Sequence, residues 1–346
     1  MGGVKLQTTK VRDERLDAVK FWLIVLVIAQ HVFMRKEFAD SPACAVMWNW
    51  NNVFLMPLFI FISGYYSRKK DRYAFCSSIW KLLEPLIIFH TITLVFYVKH
   101  PLSVKSILSP WYILWYMLSL IYWRCMLQII PDKILSHKKA VLVSAFCISI
   151  LAGFLPFDRI LSLQRTLSLM PFFFLGYYMK GKNIFLPDKY KPFSIVFLIL
   201  ILGVLSFYPQ RTNHLLFATP YKSILGPAIR MAAFIVAIPM SLAFMNVCYK
   251  APWVARQGRM TLQYYIYHAL LIPASSNLII PPLIAIAAAM NIPMTFTTAV
   301  VIIIGTTLLI AIALRIPYIK MLTNPSLLLK QKSKASIRII KYLLWK

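Results

Sequence analysis

Carboxylates are what this sequence has least of. Ten Asp and Glu stand against 38 Lys and Arg in 346 residues, a formal charge of +28. Only Glu84 falls clearly inside an apolar run, with Asp17 at the edge of another, so the intramembrane carboxylate pairs on which proton-driven pumps rely are missing. Cysteine is sparse too. The five form an odd set, with Cys44 expected in an external loop and Cys76, Cys125, Cys147 and Cys248 in or beside apolar runs, and neither a disulfide framework nor a metal-ligand spacing emerges. A Gly-rich phosphate loop, a Gly-x-Ser-x-Gly elbow and a zinc signature are absent, which excludes nucleotide hydrolysis, serine-triad and metallohydrolase chemistry of the usual kinds.

Apolar residues make up 60% of the chain and its mean hydropathy is +0.70, so lipid is its solvent. Runs able to cross about 30 Å of hydrocarbon lie near residues 16–34, 53–66, 79–98, 111–130, 140–155, 166–179, 193–208, 224–249, 262–280 and 295–314, the second and sixth being short. The fold class expected is all-α, a polytopic membrane protein of about ten transmembrane helices without a soluble domain. The first run is too long and too closely flanked by charge for a cleavable signal. An even count puts both termini on one side. The loops of that side hold 26 Lys and Arg against 8 opposite, with Lys20, Lys81, Arg124 and Arg230 in or beside runs, so the positive-inside rule places both termini in the cytoplasm of an inner-membrane, multi-pass protein. Topology, not nucleic acid, accounts for the basic charge. Three regions are expected: a cytoplasmic segment 1–15, a transmembrane domain 16–320 and a basic amphipathic tail 321–346 lying on the membrane lipids of the inner leaflet.

Two apolar runs echo each other. Phe54-Leu-Met-Pro-Leu-Phe-Ile-Phe-Ile-Ser-Gly64 and Ser168-Leu-Met-Pro-Phe-Phe-Phe-Leu-Gly176 each carry an internal proline, end in Gly-Tyr-Tyr and precede basic residues. Pro57 and Pro171 are expected to kink their helices, while the echo, without matching halves around it, is thin support for an internal repeat. Trp48, Trp50, Trp111, Trp115, Trp123 and Trp253 cluster at run ends, as an interfacial belt does.

The first run concentrates the costly residues. Asp17, Lys20 and His31 fall within one sector of a helix, and at a rise of about 1.5 Å per residue Lys20 and His31 stand roughly 16 Å apart along it. His90 and His268 also lie in apolar runs. A neutral imidazole is a natural general base near neutral pH. The plain alternative makes Asp17 and Lys20 interfacial snorkelling residues and His31 and His268 packed histidines bonded to neighbouring helices.

Leu16-Asp-Ala-Val-Lys20 and His31 resemble the first-helix motif of the acyltransferase 3 membrane proteins. The likeness extends, in order, through Phe54 to Tyr65, Leu114-Trp-Tyr116, Met170 to Tyr177 and Gly258-Arg-Met-Thr-Leu-Gln-Tyr-Tyr-Ile-Tyr-His268, and is nearest to the fucose 4-O-acetylase-like branch. It implies an O-acyltransferase, with an O-acetyltransferase most in keeping, that moves an acyl group from cytoplasmic acyl-CoA (acetyl-CoA) to a hydroxyl of a surface carbohydrate or lipid-linked glycan, without a metal. It also implies that His31 is the base and Lys20 the basic partner toward CoA; the 16 Å between them approximates an extended pantetheine arm.

Two departures stand out. The family usually has Arg where this chain has Lys20, which keeps the charge but loses the bidentate fork. Where many members carry Arg-x-x-Arg entering the third helix, this chain has Ser78 and Lys81, so donor phosphates are expected to lean on Lys81 and on the loop beginning at Arg68. Trp115, Tyr267 and His268 are expected to support the site with Asp17, and Glu84 to neutralise a buried cation beside Lys81. The rival reading is a glycan or lipid transporter without covalent chemistry, which kinked, aromatic-rich helices suit.

The charge asymmetry makes a direct prediction. Single cysteines introduced at Ser67 or near Lys346 are expected to label from the cytoplasm and one at Thr212 from the opposite side; the reverse pattern at all three would overturn this topology.

Overall fold

A computed structural model of the chain describes residues 13–96, 104–110, 113–156, 160–212, 217, 220–272, 286, 289–290 and 293–323. In chain order, short turns aside, its helices are α1 (Glu14–Phe33), α2 (Pro42–Tyr66), α3 (Arg72–Phe96), α4 (Trp115–Ile129), α5 (Lys138–Ala152), α6 (Leu163–Tyr178), α7 (Lys191–Ser206), α8 (Gly226–Val247), α9 (Pro252–Gly258), α10 (Thr261–Leu271), α11 (Phe296–Ala313) and α12 (Pro317–Leu322). The described residues contain no strand. The chain is an all-α polytopic membrane protein. Among the described residues six helices are long and apolar enough to cross a bilayer: α1, α2, α3, α7 with the turn before it, α8 and α11. The remaining expected runs fall on α4, α5, α6 and α10, of 15, 15, 16 and 11 residues, the last of these runs lying outside the described residues beyond 272, so among the described residues helix length by itself carries six spans. The tail beyond 323 and Trp111 lie outside the described residues.

Local chemistry sets the helix starts. Asp13 caps α1 by accepting from the Arg15 N–H at 3.0 Å, and Glu14 and Asp17 complement the helix dipole in its first turn. Ser41 caps α2 ahead of Pro42. The early start of α2 corrects the sequence reading in two ways. Cys44 is buried in its first turn instead of lying in a loop, and the polar stretch Trp48 to Asn52 is helical. Two of its three amides find partners on other elements: Asn49 donates to the Gln210 carbonyl at 2.7 Å and accepts from the Thr212 N–H at 3.0 Å, and Asn52 accepts from Gln30 at 2.7 Å, whereas the buried Asn51 amide has no hydrogen-bond partner among the described residues. Trp48 and Trp123 are core residues, not an interfacial belt; the Trp123 indole donates to the Thr166 carbonyl at 2.9 Å.

The two echoed segments meet. α2 and α6 cross where Gly64 faces the Phe173 carbonyl and Gly176 faces the Phe61 carbonyl, so closely that a Cβ at either glycine would overlap the opposing backbone. The exchange is reciprocal, each glycine seating the phenylalanine that lies three residues before the other. Beyond the crossing the helix ends stay together, with the Lys180 ammonium donating to the Ser67 carbonyl at 3.2 Å; the helices run parallel. Pro57 and Pro171 sit inside uninterrupted helices.

α1 lies among α2, α9, α10 and α11. Its start and the ends of α2, α4 and α6 define the basal end of the bundle. At the opposite, distal end the Arg35 guanidinium donates to the Ile272 carbonyl at 2.9 Å, tying the end of α1 to the end of α10. Ser67 is buried and its hydroxyl donates to the Ser63 carbonyl, which makes the exposed Asp71 the better labelling position in this loop.

Gly64→Leu or Gly176→Leu is expected to lower the detergent melting temperature sharply or to abolish a monodisperse protein, because overpacking costs about 1–3 kcal/mol even where side chains can yield and here the obstacle is backbone. Gly203→Ala, where nothing lies within 4 Å of the added Cβ, serves as control and is expected to leave stability unchanged.

Candidate active site

The buried charge at the basal end is organised by Asp17. Its carboxylate, fully buried, accepts from the Lys20 ammonium at 2.7 Å and faces the Arg259 Nε at 3.8 Å, while Arg259 also pairs with Glu14. Gly258 lets α9 lie directly on the α1 backbone, since a Cβ there would overlap the Asp17 carbonyl. Lys20 is 17% exposed and stands over the Tyr66 ring, 5.4 Å from its centroid. Its charge is shared between a carboxylate and an aromatic face.

Toward the distal end, His31 of α1 stacks on His268 of α10 with ring centroids 5.4 Å apart and planes 26° apart. The His268 Nδ1 lies 3.0 Å from the Tyr264 carbonyl. A carbonyl only accepts, so Nδ1 carries the proton and Nε2 keeps its lone pair; that Nε2 is buried and has no hydrogen-bond partner among the described residues. Rings continue outward in an arc: Tyr265 against His268 at 5.6 Å, Tyr116 against Tyr265 at 5.6 Å and Trp115 against Tyr116 at 6.2 Å. The Arg165 guanidinium lies over Trp115 at 4.7 Å and interacts electrostatically with both His31 and Tyr265. Tyr265 donates to the Ile113 carbonyl, and the Tyr116 and Ser63 hydroxyls share a hydrogen bond of 2.5 Å. The floor of the arc is thereby pinned to α2 and α4.

A third group lies in the loop between α2 and α3. Arg68, Lys69, Lys70, Asp71, Ser77, Ser78 and Lys81 line much of a cleft of about 560 Å³. Lys69 is occupied by Asp132 at 2.8 Å. Burial pushes the Lys70 ammonium below its ordinary range, and the charges of Arg124, Arg68 and Lys81 push it further, against only Asp71. So strong an excess of cations on one concave surface favours a polyanion.

The sequence-derived residues thus fall into separate places. Asp17 and Lys20 are joined, His31 and His268 are joined, and Arg68 and Lys81 share the cleft, which Lys20 does not line. Lys81 is exposed on that cleft, and Glu84 is half-buried one turn further along α3. Tyr267 turns toward Phe89 and the Ile319 carbonyl, away from the histidine pair's arc. His90 is held at the Ile107 carbonyl at 3.0 Å. Arg165, Tyr116, Ser63 and Arg259 went unselected by sequence reasoning, although Tyr116 lies inside a quoted motif and Arg259 adjoins Gly258 in another. Among the described residues no group of His, Cys, Asp or Glu could hold a metal ion.

A family model described as an acyltransferase domain, Acyl_transf_3, matches residues 13–316 and so takes in every group above. The chain belongs to the acyltransferase 3 family. No curated protein and no solved structure gives a significant match to it. Family membership makes this membrane protein an acyltransferase, with an acyl donor and an acceptor to accommodate. Among the described residues His31 and His268 are the imidazoles that stack on each other, and they lie on the two helices that carry the first and last of the motifs shared with the family.

The ion pair at the basal end yields a prediction for this acyltransferase. Asp17→Asn removes the carboxylate from beside Lys20 and is expected to cost about 3 kcal/mol, the low end for breaking a buried pair because Lys20 retains some solvent. Adding Lys20→Met is expected to recover most of that loss, read as melting temperature in detergent.

Proposed function

We propose that the protein is an O-acetyltransferase of the inner membrane that takes acetyl-CoA from the cytoplasm and acetylates a hydroxyl of a surface carbohydrate or lipid-linked glycan. The single observation that supports this most is the His31 and His268 pair, set about 16 Å by helical rise from Lys20 near the basal end. A nucleotide carrying phosphates is favoured at the basic cleft of the basal end, and the rise from Lys20 to His31 is about the length of an extended pantetheine arm.

In this reading the His31 imidazole takes the proton of the acceptor hydroxyl as its oxygen attacks the thioester carbonyl. An ester C–O bond forms, the C–S bond breaks, and the departing thiolate takes the proton from the imidazolium, giving CoA and a neutral histidine. The His268 Nε2 lone pair is available to accept a hydrogen bond from the acceptor sugar, and Arg165 supplies positive charge near the developing oxyanion. Asp17 keeps Lys20 oriented. The cytoplasmic position of both termini follows from the 26 to 8 distribution of basic residues.

His31→Ala and His31→Gln are expected to stay folded, since one polar side chain in a helix bundle in lipid is worth roughly 1–2 kcal/mol at most, yet to lower transfer by about 10²- to 10⁴-fold. The check is transfer of radiolabelled acetyl from acetyl-CoA to cell-envelope glycans by purified variants, beside their melting temperatures. Undiminished transfer by a stable His31→Ala protein moves the base elsewhere; no transfer by the unaltered protein to any envelope acceptor argues for a transporter.

A further inference from the structure

Arg124 is half-buried on α4, between Trp123 in the core and Cys125. Among the described residues its guanidinium forms no ion pair, and its hydrogen bond is a long one, 3.4 Å from Nη1 to the Ser78 carbonyl. Guanidinium groups stay charged in proteins, and an intramembrane cation ordinarily pairs with a carboxylate or sits with a cluster of acceptors. Arg124 instead faces more cations. Ser78 lines the basic cleft with Arg68, Lys70 and Lys81, and Lys70 is within electrostatic reach of Arg124. The nearby carboxylate, Asp71, is engaged in capping α3, accepting from the Ala74 N–H at 2.9 Å. Among the described residues, the four cations Arg124, Arg68, Lys70 and Lys81 thus outnumber the one carboxylate that lines the cleft, Asp71.

The position is also built. One turn after Arg124, the Gln128 side chain donates to the Lys70 carbonyl at 2.9 Å and accepts from the Lys70 N–H at 3.2 Å. Those two bonds lock the loop onto the α4 face that carries Arg124. On the membrane side of Arg124 lie Tyr116, with which it interacts electrostatically, and Ser63, bonded to Tyr116; the arc of rings leading to His268 begins there.

We infer that Arg124 is a phosphate-binding residue of the donor site, closing the inner wall of the cleft and supplying from α4 the cation that position 78 of α3 lacks. This rests on the acyl-CoA reading above and extends it. A guanidinium at this point can fork onto two phosphate oxygens, with Arg68, Lys70 and Lys81 around the same polyanion. The pantetheine arm then leaves past Arg124 toward Tyr116 and the histidines. Arg124 is a binding residue, so its loss acts on donor affinity, whereas loss of His31 acts on turnover.

The test is equilibrium binding of acetyl-CoA, and separately of inorganic pyrophosphate, to purified protein in nanodiscs. Arg124→Met is expected to weaken both by about 10- to 100-fold, the size of a lost charged hydrogen bond. Placing the cation back through Ser78→Arg in the Arg124→Met protein is expected to restore at least part of the affinity, which a merely structural arginine would not permit. A measurement on the unaltered protein stands apart from folding of the variants: saturating acetyl-CoA is expected to protect Arg124 from phenylglyoxal, read by peptide mass spectrometry. Equal binding by the unaltered and Arg124→Met proteins, or full labelling of Arg124 under saturating acetyl-CoA, would overturn the inference and leave the acetyltransferase reading intact. Arg124-dependent binding of pyrophosphate without binding of acetyl-CoA would overturn the donor reading and leave an anion site; no binding of either by the unaltered protein would overturn both.

Discussion

Helix α1 can occupy the middle of this bundle only because the charge at its start is neutralised. Asp17 is completely buried, and a bare carboxylate there would be prohibitive in lipid. Lys20 one turn on and Arg259 at the end of α9 supply the counter-charge, and Gly258 allows the chain bearing Arg259 to come close enough to do so. From that anchor α1 runs to His31. Arg35 then fastens its far end to the end of α10, each contact lying one turn beyond a histidine of the stacked pair. The histidines are held in register by ion pairing at one end of α1 and by a hydrogen bond at the other.

A second constraint acts at the crossing of α2 and α6. Lipid offers no hydrophobic drive between helices, so close packing between small residues and backbone must provide the cohesion. The reciprocal seating of Gly64 and Gly176 does this, and it has a chemical consequence. Ser63, adjacent to Gly64, is brought to Tyr116, and α6 presents Arg165 and Thr166 to α4. The polar arc around His268 is therefore assembled from four helices whose spacing depends on one contact without side chains.

Together these constraints separate two electrostatic environments. The basal loop cleft gathers more cations than carboxylates, whereas the histidine pair is flanked by rings and a backbone acceptor. An acyltransferase needs both: a polar foothold for a charged carrier and a site where a hydroxyl proton can move without bulk water competing for it.

Much of this was legible in the order of residues. Lipid as solvent, helices as elements, and Asp17, Lys20 and His31 on one sector all follow from patterns that run along a single helix, because 3.6 residues per turn turns spacing into direction. The motif carrying His268 was legible for the same reason. Residues whose role depends on a different helix were not. Arg165 was counted among basic residues of an outer loop and Arg124 among cations inside apolar runs, with nothing local to say that one lies over Trp115 and the other beside Ser78. Trp48 and Trp123 looked interfacial because aromatic residues near run ends usually are, but neighbouring helices cover them. The sequence by itself determined the solvent, the elements and the chemical repertoire, since those are written in local composition and periodicity. Only the tertiary structure decided which cations share a cleft, which histidines stack and which tyrosine reaches a serine, since those pairings depend on how closely helices approach, and that is set by glycines and buried charges far apart in the chain.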